Sequence, residues 1–444
     1  MAHARYKQVV DRLAQDIRQG RLPPGARLPT HRELAATEGI ALVTATRVYA
    51  ELDAMGLARG ETGRGTFVRE PSLPHGPGAD QQAVAAGMAD LNFNAPALPG
   101  QGELLRAALR RLAAAGDIDS LLRYQPHAGR PLDRETVARH LARHGLPVPA
   151  DRVAIVGGAQ HGLATAVMAL LQPGDVVAVD ALTYPGFKAL AEAHRLELAP
   201  VAAGGDGPDP EAIEALCRRR RVRAVYTMPT VHNPLGWVGG ARWREALAAV
   251  ARRHGLFLIE DAAYAFLAAD PPPPLAALVP ESTVHVSSLS KSVATGLRFG
   301  FVAAPAAWMP RIERAIRATS WNTPGVVTSI ACAWMEDGTV ARLEERKRQD
   351  AAARQAIAAE AFAGMRTVRH PAAGFLWLPL DDGIRADRVA AALRSEGIAV
   401  STADPFATGR RIPQALRLAL GSVAQADLRG TLERVRQAVE AQLP

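Results

Sequence analysis

Val286-Ser287-Ser288-Leu289-Ser290-Lys291, followed closely by Gly296 and Arg298, is the stretch of the sequence that carries the most information about the fold. A lysine amine can attack a carbonyl carbon and form an imine. Serine hydroxyls and an arginine guanidinium are groups that can hold a dianionic phosphate. Ser288, Ser290 and Arg298 therefore indicate a phosphate site beside a nucleophilic lysine, although a lone serine often has no such role.

Apolar runs alternate with helical periodicity from about residue 89 onward, and each run ends at a polar or glycine-rich loop. This pattern predicts a mostly parallel β-sheet with helices on both faces. Ligands of such sheets bind at the carboxyl ends of the strands. The candidate motifs all follow such runs: Gly157-Gly158-Ala159-Gln160 after Val153–Val156, Leu182–Gly186 after Val176–Val179, Asn233–Gly236 after Ala224–Thr227, and Glu260–Tyr264 after Leu256–Ile259.

The order of these motifs resembles that of the fold-type I pyridoxal-phosphate aminotransferases over about residues 90–444. In that family a lysine forms an imine with the cofactor. A buried carboxylate keeps the pyridine nitrogen protonated, so that the ring can accept electrons. The resemblance assigns these two roles to Lys291 and Asp261, and it implies pyridoxal 5′-phosphate as the cofactor.

The same resemblance implies how the other motif residues contact the cofactor. Tyr184 would stack on the pyridine ring, and Asn233 and Tyr264 would donate hydrogen bonds to its phenolic oxygen. A helix that starts at Ala159 would hold the phosphate through its amides and its dipole, and Tyr124 would reach that phosphate across a dimer interface. The cofactor-binding residues implied in this way are Gly158, Ala159, Gln160, Tyr184, Asn233, Asp261, Tyr264, Ser288, Ser290, Lys291, Arg298 and Tyr124.

Several of these residues also have a simpler interpretation. The glycine pair can be an ordinary tight turn, Tyr184 a core tyrosine, and Tyr124 a loop aromatic that packs locally. Arg417 lies among leucines and alanines in Ala415–Gly421. Because an arginine is not buried without a partner, it should face a cleft, where the resemblance makes it the ligand of the substrate carboxylate. An internal salt bridge is the alternative.

The first seventy residues predict three short helices and a β-hairpin, which together form a winged helix. Thr30 and Glu33 form a capping box that opens a second helix ending near Gly39. Leu57–Val68 has the pattern of a hairpin. Apolar periodicity predicts the first helix from Tyr6, Val9, Val10, Leu13 and Ile17, and the third from Val43, Val48, Leu52 and Met55.

Three stretches, Pro24–Ala35, Thr44–Leu52 and Gly63–Val68, closely resemble the GntR family of bacterial repressors. In that family the third helix enters the major groove. Where the family usually has Ser-Arg, this chain has Ala41-Leu42, which weakens the helix start by about 1 kcal/mol and removes one positive contact. The DNA-binding residues implied are Arg32, Thr44, Thr46, Arg47, Arg64 and Gly65, although each arginine taken alone could be a solvated surface charge.

The bulk composition is ordinary for a soluble globular protein. The 444 residues carry a formal net charge of +8, which suits a polyanionic partner, although a GC-rich genome also favours arginine. Cys217 and Cys332 are too few for a disulfide framework. The chain starts without a signal peptide and has no apolar stretch long enough to span a bilayer, so a reducing cytoplasm is expected. His161, His232 and His254 lack ligand spacing, so no metal is expected.

The sequence therefore predicts a winged helix-turn-helix domain at 1–70, a flexible linker at 71–88 and an α/β aminotransferase-like domain at 89–444. The last of these divides into a large part at about 130–330 and a smaller α+β part at about 331–444. This combination resembles the MocR subfamily of transcriptional regulators, which use pyridoxal phosphate as a ligand or sensor and form head-to-tail homodimers.

The MocR resemblance implies a regulator that binds double-stranded promoter DNA. It would sense a small amine, an amino acid or pyridoxal phosphate itself through imine exchange at Lys291, with Arg417 gripping a carboxylate. Two alternatives stay open. Because Lys291, Asp261 and Arg417 are all present, the chain could be a working aminotransferase that keeps a DNA-binding module. It could also be a DNA-binding protein whose cofactor pocket is vestigial.

Overall fold

The computed structural model describes residues 2–18, 21–23, 25–55, 57–61, 65–68, 88–95, 98–115, 118–204, 206–409 and 411–442. The chain divides into two compact units. The first comprises Met1–Asp90 with Ala392–Ala399, and the second comprises Leu91–Ala391 with Val400–Pro444. Most of the predicted linker at 71–88, and Arg64 of the predicted wing, lie outside the described residues.

The first unit contains the three helices and the hairpin that the sequence predicts. The capping box is confirmed, because the Glu33 amide donates to Thr30 Oγ1 at 3.3 Å and the Thr30 amide donates to Glu33 Oε2 at 2.7 Å. The second helix ends at Gly39, in the left-handed region. The elements are α1 (Ala2–Arg18), α2 (His31–Glu38), α3 (Leu42–Ala54), β1 (Ala58–Glu61) and β2 (Gly65–Val68), with β1 and β2 antiparallel.

The third helix corrects part of the periodicity argument. Val48 and Leu52 are fully buried and join the core of this unit. Val43 is 81% exposed and Met55 is 43% exposed, so the prediction that they belong to the apolar face was wrong. A buried stripe on a short helix covers only about one third of its circumference, and these two residues lie outside it. Ala41 takes the N-cap position, where its side chain makes no capping hydrogen bond.

A seven-stranded sheet forms the centre of the second unit, in the order β4-β12-β11-β10-β9-β5-β6. The pairings β11–β12 and β12–β4 are antiparallel, and the others are parallel. The predicted mostly parallel sheet is confirmed. The strands of this sheet are β4 (Val153–Val156), β5 (Val176–Asp180), β6 (Glu197–Val201), β9 (Val222–Thr227), β10 (Phe257–Asp261), β11 (Thr283–Ser288) and β12 (Gly300–Ala303), whereas β3 (Ala89–Leu91) and the antiparallel pair β7 (Ala203–Gly204) and β8 (Gly207–Pro208) lie outside it.

Helices cover both faces of this sheet because alternate residues of a strand point to opposite sides. In β5, Val177 and Val179 pack into one hydrophobic cluster, while Val176 and Ala178 pack into another. The remaining helices of the chain are α4 (Gln101–Ala113), α5 (Pro131–Arg143), α6 (Ala159–Leu170), α7 (Pro185–Ala193), α8 (Pro210–Arg219), α9 (Ala241–His254), α10 (Leu275–Leu278), α11 (Leu289–Ser292), α12 (Met309–Thr319), α13 (Gly325–Glu336), α14 (Thr339–Ala361), α15 (Ala386–Ser395) and α16 (Gln425–Glu440).

A smaller sheet carries the predicted arginine strand. Four of its strands follow the order β13-β14-β16-β15, and Arg417 in the middle of β16 pairs with Trp377 on one side and Ser401 on the other. Among the described residues, no helix is long and apolar enough to cross a membrane. The strands are β13 (Val368–Arg369), β14 (Phe375–Pro379), β15 (Ile398–Thr402) and β16 (Ala415–Ala419).

Candidate functional site

Lys291 lies just after the carboxyl end of β11, in the short helix α11. The Ser288 hydroxyl caps this helix by accepting the Ser290 amide. The lysine is half-buried, and its Nζ donates to the backbone oxygen of Asn94 at 2.6 Å. It also lies 5.8 Å from the ring centroid of Tyr264. The amine is therefore held at a fixed place at the strand end, beside an aromatic ring.

A second lysine, which the sequence analysis missed, supports the first. Lys347 in α14 is 3% exposed, and its Nζ donates to the backbone oxygens of Lys291 at 3.1 Å and Val293 at 2.8 Å. Burial, followed by the charge of Lys291, lowers the pKa of Lys347 to about 8, against the opposing effect of Asp350. No sequence signal marks this residue, because its role arises only when α14 packs against α11.

Asp261 is the last residue of β10 and is 1% exposed. Its Oδ2 accepts a hydrogen bond from the Tyr226 hydroxyl at 2.9 Å, and its Oδ1 accepts from the Ala263 amide at 3.0 Å. Burial raises the pKa of Asp261 to about 6, although these two hydrogen bonds and His285 oppose the shift. A carboxylate in such a place gains from a cationic partner, and a pyridinium ring is one. Tyr226, which fixes the carboxylate, was also missed.

A group of phosphate-binding type, called here the phosphate cradle, consists of Gly157, Gly158, Ser290 and Arg298. Gly158 is the N-cap of α6, and the Arg298 guanidinium donates to Ser290 Oγ at 3.4 Å and to the Gly157 oxygen at 3.1 Å. A Cβ on Gly158 would lie 2.7 Å from the guanidinium. Amides at a helix start, a hydroxyl and a guanidinium together suit a dianion. Ser288 lies at the start of the same turn as Ser290.

The predicted ring-stacking residue lies close to the buried carboxylate. Tyr184 is the N-cap of α7, and its pKa is raised, first by burial and then by Asp261 and Tyr264. Gln160, in the first turn of α6, donates from Nε2 to the Gly186 oxygen at 2.8 Å. The Gln160 side chain therefore fixes the loop that carries Tyr184. This is a supporting role, beyond the phosphate contact that the resemblance implies.

The residues predicted to face the phenolic oxygen are both buried. Tyr264 accepts a hydrogen bond from Asn94 Nδ2 at 3.3 Å and packs edge-on against Phe375 at 5.1 Å. Asn233 precedes a cis peptide bond to Pro234, and its Oδ1 accepts from Arg417 at 3.5 Å. Asn233 and Tyr264 are thus brought to the same region as Lys291 and Arg417.

Arg417 is 4% exposed and lies near two aromatic faces, 5.0 Å from the centroid of Phe375 and 6.0 Å from that of Phe406. Its Nη1 donates to the Asn92 oxygen at 2.9 Å. These contacts fix the guanidinium beside Asn233 and the two rings. A guanidinium can bind a carboxylate through two parallel hydrogen bonds.

The predicted DNA-binding side chains lie at the start of α2 and along α3. Arg32, Thr46 and Arg47 are exposed, and Thr44 is half-buried. The Arg47 guanidinium lies 4.8 Å from the ring centroid of Tyr6. Gly65 begins β2 with a φ of +120°, and a Cβ there would lie 3.0 Å from Arg27 Nε. Any residue larger than glycine at this position would displace that arginine.

Residues 86–435 match the family model of aminotransferase class I and II. The chain belongs to this family. Residues 5–68 match the model of bacterial regulatory proteins of the gntR family. The predicted fusion of a GntR-type helix-turn-helix domain to an aminotransferase class I and II domain is confirmed, in agreement with the MocR subfamily. The cofactor of this family is pyridoxal 5′-phosphate, so that prediction is confirmed as well.

Relatives named as HTH-type transcriptional regulators match most of this chain. The chain is 28% identical to the uncharacterized HTH-type transcriptional regulator YdeF of Bacillus subtilis, over 92% of this chain and 88% of the relative. It is 28% identical to the HTH-type transcriptional regulator TauR of Rhodobacter capsulatus, over 98% and 96%. The crystal structure of LysN, an α-aminoadipate aminotransferase from Thermus thermophilus complexed with N-(5′-phosphopyridoxyl)-L-leucine, superposes with a TM-score of 0.74 and 24% identity, over 82% of this chain and 95% of that one.

The site of this family member brings together most of the predicted residues, with one exception. Tyr124 is 84% exposed, and its ring lies 5.4 Å from that of Trp321 on the surface. Within one chain it therefore packs locally, as the simpler interpretation had it, and its role across a dimer interface stays a prediction. Among the hydrogen bonds and ring contacts of the described residues, none joins Tyr124 to the phosphate cradle.

One histidine cluster escaped the sequence analysis, although two histidines four residues apart on a helix are a recognisable signal. His140, His144 and Glu344 place possible ligand atoms within 4.8 Å of one another. His144 Nδ1 lies 2.9 Å from the His140 oxygen and its Nε2 lies 3.2 Å from Glu344 Oε2. Although burial opposes it, the contact with Glu344 raises the pKa of His144. The arrangement is that of an ion pair, and the absence of a metal stays a prediction.

Proposed function

We propose that the chain is a transcriptional regulator that binds double-stranded promoter DNA and responds to a small amine or amino acid at Lys291. The observation that carries the proposal is the presence, in one chain, of a lysine, a buried carboxylate and a phosphate cradle that suit the cofactor, and of a third helix on which Thr46 and Arg47 are exposed. Neither feature alone distinguishes a regulator from an enzyme or from a simple repressor. The proposed setting is the bacterial cytoplasm, where promoter DNA is found.

The residues fit pyridoxal phosphate, and each has a separate task. When bound, this cofactor supplies an aldehyde that bonds to a lysine amine and a ring that accepts electrons. Lys291 offers the amine, held by Asn94 and supported from behind by Lys347. Asp261 offers a buried carboxylate to the ring nitrogen, and Tyr226 keeps it oriented. The phosphate cradle offers amides, a hydroxyl and a guanidinium.

Arg417 is the residue that would select a carboxylate-bearing effector. A guanidinium binds a carboxylate through two parallel hydrogen bonds, and burial strengthens them because the local dielectric is low. The Asn92 and Asn233 oxygens and the two aromatic rings hold the guanidinium in place. An effector with an amine for Lys291 and a carboxylate for Arg417 is an amino acid.

The proposed assembly is a head-to-tail homodimer. Aminotransferase-like folds are often dimeric, and Tyr124 would then reach the phosphate of the neighbouring subunit. A twofold protein also reads two half-sites of an operator and gains effective concentration. The effector can change operator occupancy only by as much as it prefers one conformation of the dimer over the other.

Transaminase activity is the second candidate function. It is supported by the presence of Lys291, Asp261 and Arg417 in one chain. A relative, the 2-aminoadipate transaminase of Thermus thermophilus, is 28% identical over 77% of this chain and 86% of its own length. In such an enzyme the lysine amine, once released, would move a proton at the α-carbon of the substrate. A regulator needs only the binding step.

The test combines DNA binding with cofactor spectroscopy on the purified full-length protein. Fluorescence anisotropy measures binding to the intergenic DNA beside the gene, with and without pyridoxal phosphate and each of the common amino acids. The proposal predicts a visible absorbance band, saturable DNA binding and an effector that shifts both. Production of a 2-oxo acid at about 1 per second or faster would favour the enzyme. A colourless protein in the presence of the cofactor would contradict both.

A further inference from the structure

The first turn of α3 carries two exposed apolar side chains. Leu42 is 47% exposed and Val43 is 81% exposed. Further along the same helix, Ala45, Val48 and Leu52 are fully buried in the core of the first unit. Neither Leu42 nor Val43 belongs to that core, and they present apolar surface to solvent at the amino-terminal end of the helix. These two residues are called the first-turn pair.

The polar side chains of Thr46 and His31, near the first-turn pair, are occupied within the domain. Ala41 at the N-cap has no side-chain hydrogen bond. The Thr46 hydroxyl donates to the Leu42 oxygen at 3.1 Å and lies 3.3 Å from His31 Nδ1, while the His31 ring stacks on Tyr49 at 4.9 Å. The most exposed large side chains in the first turn of α3 are therefore the apolar ones of Leu42 and Val43.

Charge near the first-turn pair matches a nucleic acid. Arg32 at the start of α2 and Arg47 in α3 are both exposed, and the first turn of α3 has no acidic residue. Exposed arginines on these two helices suit a duplex, because many protein–DNA hydrogen bonds go to phosphate oxygens. A surface made to dock another protein would have a wider apolar patch.

Only one base presents an apolar group in the major groove, namely thymine with its C5-methyl. The N-terminal residues of a recognition helix are those that contact base edges. We propose that Leu42 and Val43 select thymine in the operator by packing against its methyl groups. This inference rests on the proposed function, because it requires that α3 enters the major groove. In this chain an apolar contact would take the place of the arginine contact that the GntR family usually has at position 42, and it would have a different base specificity.

The experiment removes single methyl groups from the DNA. A bound duplex is first selected from a random library with the full-length, cofactor-loaded protein. Each thymine in it is then replaced in turn by deoxyuridine, which keeps every hydrogen-bonding group and lacks only the methyl. At one or two thymines of each half-site, the dissociation constant should rise about fourfold, as expected for one methyl group returned to water.

Protein variants assign the effect to the first-turn pair. Val43→Ser, which leaves no methyl group at this position, should bind thymine and deoxyuridine duplexes equally at the contacted position, and Leu42→Ser should do so at a neighbouring one. Both side chains are exposed, so these variants should fold normally, which saturable binding to the deoxyuridine duplex checks. Met55→Ala is the matched control: it removes an exposed apolar side chain at the other end of the same helix, and it should keep the full thymine preference.

Three results would overturn the inference. Deoxyuridine could have no effect at any thymine, or the same effect in the wild type and in the variants of both residues. Val43→Ser could change the oligomeric state in sedimentation while leaving the deoxyuridine response intact, which would make the pair a protein contact. If the wild type selects no duplex at all, the proposed function fails together with the inference. If it selects one but ignores the methyl groups, only the inference fails.

Discussion

The cofactor site and the recognition helix break the usual rule of burial in opposite directions. Asp261, an acid, is 1% exposed, whereas Val43, an aliphatic residue, is 81% exposed. The first placement raises the free energy of the ionised carboxyl, and the second leaves apolar surface in water. Each becomes favourable when a complementary partner arrives: a cation for the acid, a methyl group for the valine. The two departures therefore identify two sites with different partners.

Replacing Lys291 with alanine gives the largest expected effect and tests whether the two sites are separable. The variant has no amine to bond the cofactor, so the visible band should disappear entirely. DNA binding without effector should survive, because α3 keeps its own core. Anisotropy and absorbance on the same sample measure the two properties. Loss of DNA binding by a variant that is folded according to circular dichroism would show that the sites are not independent.

Asp261→Asn should weaken cofactor binding by on the order of 100-fold, since removing one partner of a buried ion pair costs about 3 kcal/mol or more. Tyr226→Phe removes only one hydrogen bond to the carboxylate and should cost about tenfold. Titration of the cofactor by fluorescence quenching gives both values. Equal affinities for the wild type and Asp261→Asn would contradict the assigned role.

The pH dependence follows from the same residue. The pKa of Asp261 is raised from 3.8 to about 6 in the cofactor-free protein, so the folded state favours the protonated carboxyl. The contribution of the Asp261 carboxyl to the stability of the cofactor-free protein is fully present below about pH 4 and is lost as the pH rises through about 6. Cofactor affinity should move the other way and fall as the pH drops below about 6, because a pyridinium binds the carboxylate. Asp261→Asn should lack this dependence.

Lys347→Met tests the buried lysine that donates to the backbone oxygen of Lys291 in the cofactor site. The pKa of Lys347 is lowered from 10.5 to about 8, so the cofactor-free protein should lose stability as the pH falls from about 10.5 through 8. The loss is on the order of 3 kcal/mol. Thermal unfolding at several pH values should show this slope in the wild type and not in the variant. Lys188→Met is the control, because that amine also donates to two backbone oxygens, those of Asp404 and Pro405.

Ala41→Ser gives the smallest expected effect and tests the recognition helix. A serine at the N-cap should stabilise α3 by about 1 kcal/mol. Amide hydrogen exchange in the first turn should then slow by about fivefold. Ala41→Val, which cannot accept a hydrogen bond, should leave the exchange rate unchanged. A serine variant with the exchange rate of the wild type would show that the helix start is already satisfied by other contacts.

Much of the fold and of the cofactor site could be predicted from the sequence, because strand-end geometry determines both. Lys291, Asp261 and the phosphate cradle follow apolar runs, and parallel strands bring such ends together. Lys347 and Tyr226 could not be found in this way, since their roles depend on packing between elements distant along the chain. Val43 was misassigned because periodicity counts an apolar residue as buried, and the exposed ones carry the opposite information.

Gly158 and Arg298 restrict each other, because the residue at one position limits which residue the other position can hold. The guanidinium lies where a side chain on the glycine would have to go, and Arg298 itself adopts a left-handed backbone conformation with a φ of 51°. An alanine at 158 would push the arginine out of the cradle, and a shorter residue at 298 would leave the glycine without its neighbour. A protein that no longer binds pyridoxal phosphate needs neither Gly158 nor Arg298 for the cradle. We therefore expect both residues to be lost together in descendants that no longer use this cofactor.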